Sequence, residues 1–356
     1  MNYYIRETIN GDPNAGAKAR NDAADIFGQS GWMPITLNFV YNEKLAEKTE
    51  GIIRKIVENV KLRAEWGKCL KAVGAGDAVA VQFPVLRRPA LLALAFSGIK
   101  KRGGRIILLV HDLELLRYAS RTDVKGLKKQ RIVYEENSVL ALADKIIVHN
   151  SKMKEKMVGM GYDAGKLIEL GIFDYLIPNY QLRMSHGAKK NSVAIAGTLR
   201  PHKTKYLQLL PQDVDFELYG IGYEDQGMKN VHYHGAFPPD ELPMKMEAGF
   251  GLVWDGDTAN TCSGTYGEYL RINNPHKTSL YLASGMPVII WKEAALAGFV
   301  EKNKCGFSVS SLNEIGKRIS DLTEEDYEVM QNNALEVSEK LRKGYYTKAA
   351  LSLISR

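Results

Sequence analysis

Cysteine is scarce in this 356-residue sequence, which contains only Cys69, Cys262 and Cys305. An odd count without metal-type spacing argues against a disulfide framework and against a zinc site. The first residues, MNYYIRETINGDP, also lack the apolar core of a signal peptide. Both absences favour a protein of the reducing cytoplasm.

Long hydrophobic runs are absent as well. Apolar stretches such as 91–96 and 106–110 are far shorter than the about 20 residues that a membrane helix needs, so we expect no membrane span. The charge balance is mildly basic, with 48 Lys and Arg against 41 Asp and Glu. A net charge of +7 suits an anionic small molecule, a membrane surface or nucleic acid equally well.

Two basic clusters stand out, at Lys101–Arg105 and Lys125–Arg131. They are candidates for peripheral contact with anionic lipid headgroups, although a solvated surface is the commoner role of such runs. Neither cluster has interleaved aromatic residues or belongs to a recognisable nucleic-acid-binding module. We therefore expect no nucleic-acid partner.

The chain is rich in short β-branched runs that alternate with longer amphipathic stretches, which is typical of an α/β protein with parallel sheets. Five strands are predicted in each half, at 3–7, 35–40, 78–83, 105–110, 145–148, 193–196, 216–219, 251–254, 288–290 and 306–309. Helices are predicted near 17–28, 43–72, 88–101, 128–143, 151–160, 239–248, 276–284, 293–302 and 312–320.

This pattern predicts two Rossmann-like domains. We expect an N-terminal domain over residues 1–178, a polar linker over 179–191 and a C-terminal domain over 192–335. A C-terminal helix over 336–356 is free to cross back to the first domain. Two open sheets joined by one linker create a cleft, and ligands of such sheets bind at the carboxyl ends of the strands.

The stretch NNPHKTSLYLASGMPVIIW (273–291) is the most informative one. Asn274 is placed as a helix N-cap and Pro275 as the first helical residue, so the free amides beginning at His276 would face a ligand. A diphosphate there would gain from the helix dipole and from the charge of Lys277. The hydroxyls of Thr278 and Ser279 would add hydrogen bonds. The alternative is an ordinary capped helix with Lys277 in solvent.

Candidates for a general base end the fourth strand. His111 and Asp112 lie at the expected cleft edge, where a carboxylate or imidazole could deprotonate a hydroxyl. The alternative is that Asp112 caps the next helix while His111 fills the sheet edge. His149 and Asn150, at the end of the fifth strand, are interpreted as structural, with Ser151 as the helix cap.

No metal site is expected. Asp255 and Asp257, in the sequence WDGD, offer too few ligands and are interpreted as part of a solvated loop. His232 and His234 flank Tyr233 on one face of a short strand without a third ligand.

GFGLVW (249–254), NNPHKTSLYLASGMPVIIW and LRKGYYT (341–347) resemble bacterial UDP-sugar glycosyltransferases of GT-B fold. That group includes galactofuranosyltransferases of polysaccharide synthesis and the glucosyltransferase that extends glycans on serine-rich adhesins. ING (9–11), GDAVAVQFP (76–84), VHD (110–112) and HNSKMKEKM (149–157) are similar too and follow in the same order. The resemblance covers most of the chain.

The resemblance implies a donor site on the second domain and an acceptor site on the first. By this resemblance Lys277, Tyr219 and a basic residue, Arg200 or Lys203, contact UDP. The resemblance also implies that the loop from Gly11 to Ala17 closes on the substrates. A hydroxyl residue expected there is replaced by Gly16 or Ala17. The pair of Glu residues found in many retaining GT-B enzymes is missing, and Glu268 lies too early, so we infer no retaining mechanism.

Two other classes remain open. A nucleotide-dependent oxidoreductase or epimerase needs a G-x-G-x-x-G turn between strand and helix, but Gly74 and Gly76 precede their strand and lack the third glycine. A catalytically silent partner subunit would keep the donor site without turnover.

The sequence thus predicts a metal-independent transferase without a cofactor. It would move a hexose, galactofuranose first and glucose second, from a UDP-sugar to a glycan or lipid-linked acceptor. Cytoplasmic location, contact with the inner face of the membrane and a homo-oligomer are further expectations.

Overall fold

A computed structural model describes residues 1–9, 15–39, 52–87, 89, 91–117, 127–180 and 190–354. The first half forms a parallel sheet of order β2-β1-β3-β4-β5-β6. Its strands are β1 (Asn2–Ile9), β2 (Met33–Phe39), β3 (Ala78–Phe83), β4 (Arg105–Val110), β5 (Lys145–Val148) and β6 (Leu167–Glu169). Its helices are α1 (Ala15–Gln29), α2 (Ile52–Cys69), α3 (Leu92–Lys101), α4 (Glu114–Arg117), α5 (Leu127–Leu142) and α6 (Ser151–Gly159).

The second half repeats this design with a parallel sheet of order β12-β11-β10-β7-β8-β9. Its strands are β7 (Ser192–Thr198), β8 (Asp215–Ile221), β9 (Val231–Tyr233), β10 (Phe250–Val253), β11 (Val288–Trp291) and β12 (Gly306–Val309). Its helices are α7 (Pro201–Thr204), α8 (Leu242–Lys245), α9 (Gly264–Tyr269), α10 (His276–Ala283), α11 (Ala297–Lys302), α12 (Ile315–Ser320), α13 (Glu324–Arg342) and α14 (Tyr345–Ser352).

The α/β prediction is confirmed, with six strands in each sheet rather than five. Each additional strand has three residues and lies at a sheet edge, too short for a period-2 signal. Predicted helices were too long where a proline interrupts the pattern. The helix expected at 239–248 is only α8, because it starts after Pro238 and Pro239. Short α9 was missed. Residues 43–51 of one predicted helix lie outside the described residues.

The C-terminal helices connect the two domains. The expected boundary at 335/336 falls inside α13, which runs without interruption along the second domain. After Gly344, whose φ of 70° suits a residue without a side chain, α14 packs its buried Leu351 into the core of the first domain beside Tyr4 and Phe27. The Asp174 carboxylate accepts hydrogen bonds from two amides at the start of α14. Within the described residues, no helix is long and apolar enough to cross a membrane.

Candidate active site

Residues that follow the strands of both sheets meet between the domains. The Tyr269 hydroxyl of α9 accepts a hydrogen bond from the Leu113 amide at 3.2 Å, and Asn150 donates to Asn274 at 2.6 Å. On the other side, the Tyr175 hydroxyl donates to the Pro239 carbonyl at 2.7 Å. These contacts hold the strand ends of one sheet against those of the other, as the cleft prediction requires.

The basic side chains of the second domain gather around a buried carboxylate. Lys277 Nζ donates to Asp255 Oδ1 at 2.8 Å and to the Trp254 carbonyl at 3.1 Å. Lys203 Nζ lies 3.9 Å from Asp255 Oδ2. Burial lowers the pKa of Lys277, which Asp255 opposes. The prediction that Asp255 belongs to a solvated loop is wrong, because only 4% of the residue is exposed.

Helix α10 begins one residue later than the sequence pattern indicated. Pro275 is the N-cap, with φ −66° and ψ 127°, and His276 is the first helical residue. Asn274 is therefore not the cap. Its side chain donates to the His149 and Gly171 carbonyls at 2.8 and 3.0 Å, so it joins the second domain to the first.

The first turn of α10 has two polar atoms without a partner in the described structure. Thr278 is fully buried and its Oγ1 has no hydrogen-bond partner. His276 is half-buried, but its Nε2 atom is buried and also lacks a partner. Burial lowers the pKa of His276 to about 4, so its ring is neutral at neutral pH. The Ser279 hydroxyl, in contrast, donates to the Phe173 carbonyl at 2.6 Å. We therefore remove Ser279 from the set of ligand-facing groups and keep Thr278.

Arg200 and Tyr219, which were also predicted to contact UDP, differ in their exposure. Arg200 is exposed at the start of α7, where its side chain lies against Gly222. Tyr219 is 2% exposed, stacks on His234 with ring centroids 4.8 Å apart, and accepts a hydrogen bond from the Glu247 amide. The Tyr219 hydroxyl is thus already engaged within the second domain.

His111 and Asp112 lie at the cleft edge, as predicted from the strand end. The His111 ring stacks on Phe173, with centroids 5.3 Å apart, and its Nε2 lies 2.7 Å from Gln82 Oε1. Burial holds the pKa of His111 well below its ordinary value, so the ring is neutral. Asp112 accepts a hydrogen bond from Tyr269, and burial raises the pKa of its carboxyl group.

The alternative role of Asp112 as a helix cap is wrong. The first amides of α4, those of Glu114 and Leu115, donate to the carboxylate of Glu136 at 3.1 and 2.8 Å. Glu136 is fully buried on α5 and comes from a distant part of the sequence. The Asp112 carboxyl group keeps 41% of its side-chain surface exposed, 3.8 Å from Arg117. It is available to a substrate in the cleft.

Three polar residues beside His111 were missed by the sequence analysis. Glu7 on β1 accepts from the Leu86 amide and lies 3.9 Å from Arg20 of α1. Gln82 on β3 donates to the Arg20 carbonyl at 3.0 Å. Burial raises the pKa of Glu7 to about 7. A buried carboxylate on a strand has no local sequence signal beyond an interruption of the apolar pattern, which β1 shows at Glu7.

The predicted loop from Gly11 to Ala17 lies only partly within the described residues. Gly11 lies outside them, whereas Gly16 and Ala17 belong to the first turn of α1. Lys18 directly follows Ala17, and its Nζ contacts Asp22 at 2.6 Å and Asp240 of the second domain at 2.7 Å. The start of α1 therefore faces the cleft.

His149 and Asn150, which were interpreted as structural, make hydrogen bonds only within the protein. His149 is buried, and burial lowers its pKa to about 4. Its Nδ1 accepts from the Asn274 amide at 2.9 Å, and Nε2 donates to the Val110 carbonyl at 3.1 Å. Asn150, rather than Ser151, is the N-cap of α6.

The described residues contain no group of three or more His, Cys, Asp or Glu side chains that could hold a metal ion. His234 Nε2 lies 2.6 Å from Glu217, and His232 lies on the exposed edge strand β9. Asp257 is exposed and its amide donates to the Ser263 hydroxyl.

Comparison with known proteins shows which family the chain belongs to. Residues 2–172 match the model of the glucosyltransferase 3-like N-terminal domain, and residues 193–354 match that of the C-terminal domain. The chain is 33% identical over 352 residues to beta-1,6-galactofuranosyltransferase WbbI of Escherichia coli, covering 98% of this chain and 97% of WbbI. Glucosyltransferase 3 of Streptococcus gordonii is 25% identical over 341 residues, 94% of this chain and 92% of its own. The Anabaena protein HepE, solved in complex with UDP, shares the fold over the whole of both chains, with a TM-score of 0.58 and 14% identity.

Proposed function

The chain belongs to the glucosyltransferase 3-like family, and from that premise we propose that it transfers a hexose from a UDP-sugar to a saccharide acceptor. The family predicted from the sequence is confirmed, and so is the two-domain α/β fold of GT-B type. The oxidoreductase alternative is not favoured.

One observation supports the location of the donor site most strongly. Lys277, Lys203 and the unpartnered Thr278 hydroxyl lie together at the N-terminus of the eight-residue helix α10. A diphosphate there would receive the helix amides, two ammonium groups and a buried hydroxyl that otherwise lacks a partner. In the donor-free protein, Asp255 supplies the negative charge that the diphosphate brings on binding.

The chemistry follows from the two sides of the cleft. The departing UDP gains negative charge as the glycosidic bond breaks, and Lys277 and Lys203 stabilise that charge. The acceptor hydroxyl loses a proton, which Asp112 accepts. Because the hydrogen bond from Tyr269 comes from the second domain, the base is positioned only when the two domains are in contact.

For the donor sugar, galactofuranose is the first choice because WbbI is the more similar of the two relatives, and glucose is the second. The acceptor is a glycan or a lipid-linked saccharide. A homo-oligomer, a cytoplasmic location and activity without a metal belong to the same proposal.

A donor screen tests this proposal. UDP-galactofuranose, UDP-glucose, UDP alone and NAD are each added to the purified protein, and the melting temperature is recorded with and without EDTA. We expect a UDP-hexose to raise the melting temperature in both conditions. Incubation with a lipid-linked saccharide extract should then give a product heavier by one hexose. Stabilisation by NAD but by no UDP compound would overturn the proposal, and UDP-hexose binding without any product would favour a silent partner subunit.

A further inference from the structure

The excess of positive over negative charge lies entirely in the first half of the chain. Residues 1–178 contain 28 Lys and Arg against 20 Asp and Glu, whereas residues 179–356 contain 20 against 21. The excess is densest between residues 52 and 131, with 18 against 6. This part of the chain includes α2, α3 and the first residues of α5.

These three helices lie side by side on one face of the first sheet. Their inner sides are buried in a single core, to which α2 contributes Trp66, α3 contributes Phe96 and Ile99, and α5 contributes Val139 and Leu140. Helix α3 packs between the other two. Because the inner sides face the sheet, the opposite sides of all three helices form one outer surface, which we name the basic face.

Six exposed cations on or beside the basic face form no ion pair within the described part of the chain. Lys61, Arg63 and Lys68 belong to α2 and Lys101 ends α3, whereas Lys71 follows α2 directly and Arg105 is the first residue of β4. Neighbouring cations differ: Lys100 pairs with Asp144, and Arg131 pairs with Glu135. The six unpaired charges outnumber Glu65, the exposed carboxylate of α2 that lies among them, and therefore produce a net positive field.

Exposed apolar side chains lie on the same face. Leu91 and Leu94 are 48% and 49% exposed, and Tyr134 of α5 is 66% exposed beside them. The three side chains line a shared depression together with Pro89 and Ser138. Leu94 and Lys101 lie seven residues, or two turns, apart on α3, and Leu91 is the N-cap of that helix, so the outer side of α3 is apolar at its start and cationic at its end. Such a side would leave apolar surface in water unless a partner covers it.

We infer that the basic face docks on an anionic phospholipid surface, with Leu91, Leu94 and Tyr134 entering the headgroup region and the unpaired cations contacting the lipid phosphates. Cations combined with exposed leucine and tyrosine are the composition of an interfacial lipid-binding surface. A nucleic-acid surface would instead need aromatic side chains interleaved with the cations. Helix α3 is the first helix after the carboxyl end of β3 and follows it after residues 84–91, so docking places the cleft opening at the edge of the bilayer. The inference goes beyond the proposed function and does not depend on it.

Vesicle sedimentation without donor or acceptor tests the docking surface. The full chain is mixed with vesicles of phosphatidylcholine, or of phosphatidylcholine and phosphatidylglycerol, at low and high salt. We expect binding only to the anionic vesicles, weakened by salt, and reduced at least about tenfold in the K101E/R105E variant. The L94S/Y134S variant should also bind more weakly, at unchanged net charge.

A matched control separates docking from net charge. The K292E/K302E variant makes the same charge change with exposed lysines of the second domain, and we expect it to bind vesicles like the wild type. An equal loss in both charge variants, or no binding of the wild type to anionic vesicles, would overturn the inference. Tighter binding of single-stranded RNA than of vesicles would assign the face to nucleic acid instead. Circular dichroism and the melting temperature of each variant, recorded without any nucleotide, check that it is folded, so a failure here is distinguishable from a failure of the transferase proposal.

Discussion

At the scale of single residues, two carboxylates are central to the proposed site, and the sequence analysis predicted the position of only one of them correctly. Asp112 was a candidate base and lies at the cleft edge, hydrogen-bonded across the domains. Asp255 was interpreted as a solvated residue and is instead a buried partner of two lysines. The loop WDGD has the composition of a turn, and nothing local in it indicates that a lysine 22 residues later returns to meet Asp255.

The Asp112→Asn substitution tests the base. The amide cannot accept a proton, so we expect the transfer rate to fall by a factor of about 100 or more while the affinity for UDP stays unchanged. In the wild type the rate should fall as the pH drops through the pKa of Asp112. That pKa lies above the ordinary value of 3.8 because the surrounding protein removes part of the hydration of this partly exposed carboxyl group. Rate measurements from pH 4 to 8, with UDP titrations as the control, provide the check. A variant that retained full activity would exclude Asp112 as the base.

The Asp255→Asn substitution tests the buried ion pair. It leaves Lys277 without a full counter-charge, so the free energy of unfolding should decrease by about 3 kcal/mol. Saturating UDP should then stabilise the variant more than the wild type, because the diphosphate replaces the missing negative charge. Urea unfolding with and without UDP measures both effects. Equal stabilisation of the two proteins by UDP would show that the diphosphate binds away from Lys277.

At the scale of elements, strands and helices with a strong period were predictable and short ones were not. β3 and β4 have the predicted bounds, since they contain uninterrupted apolar runs at 78–81 and 106–110. α9 has only six residues, GTYGEY, with two glycines and little helix propensity. It forms because Gly267 lets the backbone approach the Cys262 and Asp255 main chain. Tertiary contacts, rather than local preference, fix such an element, which is why Tyr269 was missing from the predicted site.

Helix α10 can approach β10 closely because residue 251 is glycine. A Cβ atom there would lie 2.2 Å from the Tyr281 ring, whose hydroxyl accepts a hydrogen bond from the Ala196 amide. We therefore expect Gly251→Ala to lower the free energy of unfolding by about 1–3 kcal/mol. Gly298→Ala is the control: it lies in α11 with nothing within 4 Å and should stabilise the protein by up to about 1 kcal/mol. Denaturant unfolding of both variants measures the two changes in the free energy of unfolding. An equal change in the two variants would show that the loss of a glycine, rather than the clash with Tyr281, is responsible.

At the scale of the whole molecule, the sequence predicted two Rossmann-like halves but not the side-chain contacts that join them. Lys18, Tyr175 and Asn274 each make contacts across the domains. Such contacts join residues more than 60 positions apart, so no periodicity reports them. The two predicted sheets and the linker between them gave the cleft as an expectation, and the side chains that line its closed part came only from the structure.

The Asn274→Ala substitution tests the contact between domains. It removes the side-chain donor of the Gly171 carbonyl and one of the two hydrogen bonds of the His149 carbonyl and of the Asn150 side-chain amide, all in a buried site, so we expect a loss of about 1–3 kcal/mol in the free energy of unfolding. The transfer rate should fall as well, because Asp112 and Tyr269 come from different domains. Asn313→Ala, at an exposed position, serves as the control. If the Asn274 variant matched the control in stability, this network would not hold the domains.

Calorimetric titration with UDP tests the central claim most directly. The claim is that the start of α10, with Lys277 and Lys203, binds the diphosphate of a UDP-sugar. We predict that UDP binds the wild type and the Lys292→Ala control equally, with or without EDTA, and binds Lys277→Ala at least about tenfold more weakly. Equal affinity of the wild type and the Lys277 variant, or no UDP binding by the wild type, would contradict the account.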